Sequence, residues 1–492
     1  MSERAQTGNL ADYTGRIAAA LEQFLEGGQG DAMSRHAEWS PALSGPLPAA
    51  GVGGDAVIEE LARTVIPNGA RMSDPGFWGW ITAGPGTVPV VATLAGAVAS
   101  PQRYTITAFN KLEELSLDWL AELCGLDAQM KGVYSSGGSV ANLIALGAAR
   151  QWALEEAGSD PAADGLGTVP LALYASAEVH HTVQRAAGVL GIGRRNVRII
   201  ATDDHQRLDP AALERALAAD VSAGVVPVAV IATVGTTNTG AIDPLRAAGE
   251  LAKAHGAWFH VDGAYGLPGI LDERLASLYD GLELADSTIV DPHKWLGAPV
   301  GIAATFVRDR SILHRAFTQE PAAYLEGAFV DPDDVRISLD SMGVPYADFA
   351  VELSSPARGV VVWSILRELG REGVRARIRG DNDFARHVAT RAAASDRLEL
   401  MAEPVLSICC FRYVAPGVDD DGLDSLNATV LRRLQAETPY LPSSTVVNGR
   451  FVIRPCFING RTELKHVDGL CDAVIRIGDQ LAGLASAGSV LL

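Results

Sequence analysis

The sequence predicts a mostly parallel α/β fold with two or three domains. Short apolar segments alternate with helical patterns in the middle of the chain, which is typical of strand–helix–strand units. The chain has 492 residues, more than the roughly 250–300 residues at which a single hydrophobic core stops growing. A hydrophobic content of 48% and a charged content of 20% are ordinary for a globular protein with a large core.

The strand–helix alternation covers residues 86 to 375, which we expect to form the large domain. The predicted strands are 171–175, 225–234, 258–261, 287–291 and 302–307. Helical patterns lie between several of them, for example at 245–255. This order favours a mostly parallel sheet.

The two ends of the chain differ from the middle. Residues 1–85 start with an amphipathic helix pattern and continue into a stretch rich in Gly and Pro. We expect this region to pack on another domain or subunit, because it is too irregular to form a core alone. Residues 376–492 mix the two kinds of element and predict a smaller α+β domain. Its predicted helices are 384–394, 423–437 and 466–481, and its predicted strands are 405–413 and 451–456.

Composition excludes several classes of protein. The chain has 40 basic and 59 acidic residues, a net charge of −19, which disfavours binding to nucleic acid. The five cysteines include no Cys-x-x-Cys pair, so neither a zinc site nor a disulfide framework is expected and a cytoplasmic location fits better. No apolar run reaches the roughly 20 residues of a membrane span, and the polar start lacks the apolar core of a signal peptide.

Lys294 lies in the segment Asp-Pro-His-Lys-Trp, directly after a predicted strand. Burial lowers the pKa of a lysine and supplies the neutral amine that forms a Schiff base with an aldehyde. An ordinary surface lysine at a strand end is the alternative interpretation of the same pattern.

Asp262 ends another predicted strand, in the segment His-Val-Asp-Gly-Ala-Tyr. A carboxylate at this place can pair with a pyridine nitrogen and keep it protonated, which makes the ring an electron sink. Ala264 is small enough for a planar ring to lie against it. A helix cap or a metal ligand is the alternative for Asp262.

The segment Tyr-Ser-Ser-Gly-Gly-Ser ends at Ser139 and precedes a helical pattern. Glycines that open a helix leave backbone N–H groups free for an anion, so Gly138 and Ser139 indicate a phosphate site. The segment matches neither GxxxxGK[ST] nor GxGxxG, so a nucleotide site lacks support. Two alternatives remain: a turn capped by Ser139, and a serine-hydrolase nucleophile at Ser139, because Gly-Gly-Ser-Val-Ala nearly matches Gly-x-Ser-x-Gly.

Two more segments follow predicted strands. His180 and His181 are adjacent, and an imidazole can stack on a planar ring; their side chains project to different sides, so a shared metal is not expected. Thr237 places a hydroxyl at the carboxyl end of a strand, which faces the ligand crevice of a doubly wound sheet. A strand-to-helix turn capped by Asp243 accounts for the same segment.

In this order the segments resemble the group II decarboxylases that depend on pyridoxal phosphate (PLP), which include aromatic amino-acid, glutamate and cysteine-sulfinate decarboxylases. The matching segments are SSGGSVANLIAL, VHHTVQRA, ATVGTTNTGAIDPL, WFHVDGAYG and DPHKWLG. The resemblance implies the aspartate-aminotransferase-like fold type I, with a cofactor-binding domain at 86–375 and a small domain at 376–492. It also implies a homodimer with shared active sites, in which residues 1–85 form a dimerisation arm.

The resemblance implies a role for each matching position. Lys294 would carry PLP as a Schiff base, and Asp262 would pair with the pyridine nitrogen. His180, rather than His181, would stack on one face of the ring and Ala264 would back the other. The remaining positions implied near the cofactor are Gly138, Ser139, Thr237, Asp291 and His293. Tyr324 lies in a segment that resembles the family's mobile loop and would protonate the carbanion; a surface aromatic is the alternative.

The expected reaction is decarboxylation of an aromatic L-amino acid to the amine and CO2. Trp78 and Trp80 resemble a segment whose aromatic residues line the substrate pocket, and aromatic walls favour aromatic side chains; core or interface aromatics are the alternative.

Decarboxylation of acidic amino acids, a lyase activity and an aldehyde-forming activity stay open. An acidic substrate would need a pocket arginine, such as Arg103, Arg336 or Arg358. The chain departs from the family pattern at Val140, which is usually acidic, and at Asp291, which is Asn in some members.

Overall fold

The computed structural model describes residues 9–27, 34–82, 84–101, 107–318 and 344–486. The chain divides into two compact units, Met1–Phe77 and Trp78–Leu492. Tyr324, Arg103 and Arg336 lie outside the described residues.

The first unit consists of short helices. They are α1 (Leu10–Glu26), α2 (His36–Trp39) and α3 (Gly54–Glu60), and α3 continues into a π-helical turn over Leu61–Val65. Asn9 caps α1 by accepting a hydrogen bond from the backbone N–H of Ala11. Arg16 on α1 pairs with Asp55 on α3 at 2.9 Å. No residue of these three helices is buried, as expected for a segment without its own core.

The second unit contains two β-sheets and the helices that cover them. Its helices are α4 (Thr87–Ala99), α5 (Ala108–Leu123), α6 (Gly138–Glu156), α7 (Thr182–Val189), α8 (Pro210–Ser222), α9 (Leu245–Ala254), α10 (Ser311–Phe317), α11 (Gly359–Ala393), α12 (Asp420–Glu437) and α13 (Leu464–Ser486). The strands of the chain are β1 (Phe77–Trp78), β2 (Lys131–Ser135), β3 (Leu171–Ser176), β4 (Val197–Ile200), β5 (Val226–Thr233), β6 (Trp258–Asp262), β7 (Ser287–Val290), β8 (Ala303–Val307), β9 (Leu398–Ala402), β10 (Cys410–Tyr413), β11 (Leu441–Val447) and β12 (Arg450–Arg454).

The large sheet has seven strands in the order β2-β8-β7-β6-β5-β3-β4. All neighbouring pairs from β7 to β4 are parallel, whereas β8 is antiparallel to both of its neighbours. Every residue of β3, β6, β7 and β8 is buried, because helices cover both faces of the sheet. The predicted fold class and the five strands predicted for this region are confirmed.

The parallel strands end at one edge of the sheet, which brings their following loops together. The strand ends at this carboxyl edge include Ser176 of β3, Thr233 of β5 and Asp262 of β6. The residues predicted to bind a ligand follow these same ends. The fold therefore gathers them at one place.

The smaller sheet is antiparallel, with β11, β12, β10 and β9 side by side. It packs with α12 and α13 around a second hydrophobic cluster that includes Phe411, Leu434 and Val474. Helix α11 links the two cores and is interrupted at Gly370, where φ is 61° and ψ is 175°.

The packing partner changes along α11. Ile378 belongs to the large core and Ala385 to the small one, so the change occurs a few residues after the predicted boundary at 375. None of the helices in the described part of the chain combines the length and the apolarity of a membrane span.

Candidate active site

The carboxyl edge of the large sheet brings together charged groups from three loops. Burial lowers the pKa of the His180 imidazole; the nearby Asp262 carboxylate opposes this effect, and the Lys294 ammonium adds to it. His180 is half-buried, whereas His181 is exposed. His180 is thus the more buried of the two. The prediction that their side chains project to different sides is wrong, because the two ring centroids lie 4.2 Å apart.

Lys294 is held in a tight turn after β7. Its backbone N–H donates to the carbonyl of Asp291 at 2.9 Å, and its Nζ lies 3.2 Å from Asp291 Oδ2. The next residue, Trp295, anchors the turn: it is buried, its Nε1 donates to Asp381 at 2.8 Å, and its ring stacks on Tyr265. Lys294 is therefore a fixed, largely buried amine and not a surface lysine.

Asp291 connects this turn to the start of α6. A Cβ at Gly138 would lie 2.7 Å from Asp291 Oδ2, so only glycine fits against this carboxylate without a shift. His293 Nε2 lies 3.7 Å from the same oxygen. The other oxygen, Oδ1, is buried without a hydrogen-bond partner among the described residues, which is a costly state that a donor from a ligand would relieve.

The first turn of α6 offers free backbone donors. Gly137, with φ of 135°, precedes the helix, and its carbonyl accepts hydrogen bonds from Val140 and Ala141. The N–H groups of Gly138 and Ser139 find no acceptor within the described residues. Together with the helix dipole, these groups fit an anion such as a phosphate.

The hydrolase interpretation of Ser139 is not supported. The side chain is exposed, and in the described part of the chain its hydroxyl makes no hydrogen bond to a histidine. A serine nucleophile needs such a base within hydrogen-bond reach.

Asp262 is buried and held by two donors. Asn142 Nδ2 donates to Oδ2 at 3.0 Å, and the backbone N–H of Ala264 donates to Oδ1 at 3.2 Å. The carbonyl of Ala264 in turn accepts from the N–H of Asp291 at 3.0 Å. The two loops that carry Asp262 and Lys294 are thereby joined through Ala264.

The turn after β5 differs in part from its prediction. Thr237 is exposed at the carboxyl edge, and its carbonyl accepts a hydrogen bond from Arg454 at 2.5 Å. Asp243 does not cap α9, where Pro244 is the N-cap. Its two oxygens instead accept from the backbone N–H groups of Leu208 and Thr233, each at 2.7 Å.

The two tryptophans of the predicted pocket segment lie in different environments. Trp78 is fully buried in the small-domain core, where it stacks on Tyr440 at 5.8 Å and its Nε1 donates to Thr462 at 3.0 Å. This placement supports the core interpretation of Trp78, and a pocket role is not expected from it. Trp80 is 63% exposed, so its substrate role stays a prediction.

Two site residues were missed by the sequence analysis. Asn142 and His260 are both buried and lie 3.0 Å apart, between His260 Nε2 and Asn142 Oδ1. Their signal was periodicity: Asn142 lies one helical turn after Gly138, and His260 precedes Asp262 by two residues on the same face of β6.

The residues at this edge fit pyridoxal phosphate. Lys294 supplies an amine, Asp262 a carboxylate for a ring nitrogen, and the opening of α6 a cradle for an anion. In the described ranges, no group of three or more His, Cys, Asp or Glu side chains could hold a metal ion.

Comparison with known proteins identifies the family of the chain. The family model of the pyridoxal-dependent decarboxylase conserved domain matches residues 47–414. Tryptophan decarboxylase 1 from Oryza sativa subsp. japonica is 30% identical over 433 residues, covering 84% of this chain and 82% of the relative. Aromatic-L-amino-acid decarboxylase from Bacillus atrophaeus is 28% identical over 432 residues, with 86% and 85% covered.

Solved structures agree as well. The crystal structure of Oryza sativa TDC with PLP and tryptamine superposes with a TM-score of 0.85 at 26% identity, covering 98% of this chain and 100% of that chain. The chain belongs to the pyridoxal-dependent decarboxylase family and is an amino-acid decarboxylase that uses pyridoxal phosphate.

Proposed function

We propose that the enzyme converts an aromatic L-amino acid to its amine and CO2, with Lys294 as the residue that holds the cofactor. One observation carries the assignment of the site. Lys294 is a fixed amine 3.2 Å from Asp291, and hydrogen bonds through Asn142 and Thr182 connect the buried carboxylate of Asp262 to the half-buried imidazole of His180. An amine, an anion and a flat side chain are the groups that a pyridoxal cofactor requires.

Each residue at the edge has one proposed task. When bound, the cofactor supplies an aldehyde that captures amines and a ring that accepts the electrons left after loss of CO2. Asp262 keeps a negative charge at the ring nitrogen, and His180 and Ala264 hold the ring between them. The first turn of α6, at Gly138 and Ser139, binds the phosphate through its free N–H groups.

The remaining cofactor positions border this arrangement. Asp291 holds the Lys294 amine at 3.2 Å, and this pairing offsets the negative charge of Asp291 next to a phosphate. Thr237 contributes a hydroxyl at the edge of the ring. We assign Asp291, His293 and Thr237 to the orientation of Lys294 and the cofactor.

Two observations support an aromatic substrate: the names of the relatives and the hydrogen bonds of one arginine. The relatives are named for tryptophan and aromatic L-amino acids. Arg358, a candidate partner for an acidic substrate, is buried and bonded to Glu352 at 2.7 Å and to Ser355 at 2.6 Å. It is therefore already neutralised, whereas exposed Trp80 offers an aromatic surface.

The amine, and not an aldehyde, is the proposed product, because Tyr324 supplies an acid that can return a proton to the substrate carbon. A Tyr324→Phe variant removes this proton donor. We expect it to lose amine formation and to release aldehyde instead. Liquid chromatography of the products from one substrate distinguishes the two outcomes.

A homodimer is the proposed assembly. Helix α4 exposes a row of apolar side chains, Val91, Leu94 and Val98, spaced at three and four residues as on one helix face. Such a face is costly in water and suits a second copy of the chain. Light scattering of the wild type beside a Val91→Glu, Val98→Glu variant tests this; a wild-type monomer would refute it.

A cytoplasmic location is proposed from the cysteines. All five are free thiols and buried. Burial raises the pKa of Cys124 and of Cys471 to about 12, so both stay protonated and unreactive. Free thiols are typical of a reducing compartment.

The absorption spectrum of the purified protein, followed by a substrate panel, tests the proposed function. The wild type should show a visible cofactor band that borohydride removes. Lys294→Ala should lose this band, while Lys131→Ala, a surface lysine paired with Asp118, should keep it. CO2 release should be fastest with L-tryptophan, L-tyrosine or L-phenylalanine; fastest release from L-glutamate would contradict the aromatic assignment.

A further inference from the structure

A chain of buried hydrogen bonds ends at Asp262. Trp258 Nε1 lies 2.8 Å from Ser287 Oγ, which lies 2.9 Å from His260 Nδ1. His260 Nε2 lies 3.0 Å from Asn142 Oδ1, and Asn142 Nδ2 lies 3.0 Å from Asp262 Oδ2. All five side chains are buried, so no water competes for these bonds.

The direction of the protons in this chain follows from its last member. A carboxylate only accepts, so Asn142 donates through Nδ2 to Asp262 and its Oδ1 accepts from His260. In a neutral imidazole that carries its proton on Nε2, Nδ1 accepts from Ser287 Oγ, which in turn accepts from Trp258. His260 then carries its proton on Nε2 and donates it to Asn142 Oδ1. Burial lowers the pKa of His260 to about 4, which keeps this imidazole neutral at neutral pH.

The amide of Asn142 is therefore oriented, with its oxygen toward His260 and both amide hydrogens toward the site. One hydrogen goes to Asp262 and the other to Thr182 Oγ1 at 3.3 Å. Thr182 Oγ1 lies 2.8 Å from His180 Nδ1, to which the backbone N–H of Thr182 also donates, at 3.4 Å. Nδ1 of His180 thus accepts, and Nε2 carries the proton.

We propose that Asn142 is a positioning residue that sets two contacts of the protein with the cofactor ring, those of Asp262 and His180. Its amide group aims the Asp262 carboxylate at the ring nitrogen, and through Thr182 it fixes the plane and the tautomer of His180. The amide cannot rotate without losing the hydrogen bond from His260. This inference rests on the roles of Asp262 and His180 proposed above.

The test replaces the donor and keeps the shape. Asn142→Asp retains an oxygen for His260 and places a second oxygen, which repels, against Asp262. Asn427→Asp is the matched control. Asn427 is also fully buried, and its amide donates to the carbonyls of Tyr413 and Leu423 in the small domain.

Two readouts separate positioning from folding: the dissociation constant of PLP for the apoprotein, and the ¹⁵N chemical shift of the pyridine nitrogen of bound ¹⁵N-labelled PLP. Asn142→Asp should bind PLP at least about 10-fold more weakly, since a hydrogen bond to a charged group is lost. Its pyridine shift should differ from the wild-type value, because the carboxylate proposed to face the nitrogen is displaced. Asn427→Asp should lower Tm and leave both readouts unchanged.

His260→Phe provides a graded second variant. It removes the bond that orients the Asn142 amide but keeps the amide itself, so both readouts should move in the same direction and less far. If Asn142→Asp does not fold, this variant decides the matter.

A folded Asn142→Asp protein with wild-type PLP affinity and pyridine shift would overturn the proposal. If Asn142→Asp does not fold, a His260→Phe protein with wild-type values of both readouts would overturn it. Failure of the wild type to bind PLP would instead contradict the proposed function of the site.

Discussion

Two buried aspartates at the carboxyl edge of the large sheet are held in different ways. Asp243, in the turn after β5, is 1% exposed and gives both oxygens to backbone N–H groups, of Leu208 and Thr233. Asp262, at the end of β6, is 4% exposed and is held by one side-chain amide and one backbone N–H. Asp243 therefore joins two backbone segments, those of Leu208 and Thr233. The hydrogen bonds of Asp262 instead fix the direction in which its carboxylate points.

The surroundings of the two carboxylates explain this difference. Burial raises the pKa of Asp243 to about 6, and the two backbone donors only partly offset that effect. Near Asp262 a relay of neutral side chains, His260 and Asn142, does the orienting. The position of the Asp243 carboxylate thus depends on backbone groups. The position of the Asp262 carboxylate depends in part on other side chains, which can be substituted one at a time.

Replacing each aspartate by asparagine should separate activity from stability. Asp262→Asn keeps the shape and an acceptor for Asn142 but removes the charge that we propose faces the cofactor ring. We expect kcat to fall on the order of 1,000-fold, as when one preorganised electrostatic group is lost from an active site. Initial rates of CO2 release with saturating PLP measure this effect.

Asp243→Asn is the control for this prediction. It should leave kcat near the wild-type value, because Asp243 contacts only the backbone of its own domain. Equal losses of kcat in the two variants would show that the distinction between the two aspartates is wrong.

The fold could be predicted from the sequence where burial alone determines structure. Strands β3, β5, β6, β7 and β8 are apolar and buried on both faces, so their pattern is visible in the sequence. Strand β4 was missed because it is short and only its two end residues are buried. Strand β2 was missed because it contains Gly132, where a Cβ would lie 2.7 Å from Phe306 and from Leu117.

The candidate site was predictable to the extent that its residues directly follow strands or open a helix, as Lys294, Asp262 and Gly138 do. The relay was not, because its bonds join residues far apart in sequence: His260 and Asn142 are 118 positions apart. Trp78 shows the opposite case. Its motif predicts a pocket residue, while its partners Tyr440 and Thr462, which place it in the core, lie in the last quarter of the chain.

The pH dependence of stability should sharpen the contrast at Asp243. Its pKa of about 6 in the folded protein exceeds the ordinary value of 3.8, so folding favours the protonated form. The resulting stability is complete below about pH 4 and is lost as the pH rises through 6, a change of about 3 kcal/mol. Urea unfolding measures the free energy of unfolding of the wild type and of Asp243→Asn. The difference between these two free energies should change by this amount between pH 4 and pH 7.

Only the difference between the two proteins matters, because other carboxylates titrate in both. A difference that does not vary with pH would mean that Asp243 is already ionised at pH 4 in the folded protein. The backbone donors would then outweigh burial, and Asp243 would stabilise the fold as an anion.

The smallest effect concerns a third buried aspartate, Asp291. It combines the two behaviours, because one oxygen faces Lys294 and the other has no hydrogen-bond partner in the part of the chain that the structure describes. Gly138→Ala would place a Cβ 2.7 Å from Asp291 Oδ2, forcing the carboxylate away and disturbing the lysine. We expect PLP affinity to fall about 10-fold, roughly the contribution of one hydrogen bond to a charged group.

Gly380→Ala is the control for this prediction. It lies in α11, where no described atom is within 4 Å of the added Cβ, so it should leave PLP affinity unchanged and raise stability by about 0.5–1 kcal/mol. Unchanged PLP affinity in Gly138→Ala would show that Asp291 can move without consequence, and hence that it serves the fold as Asp243 does.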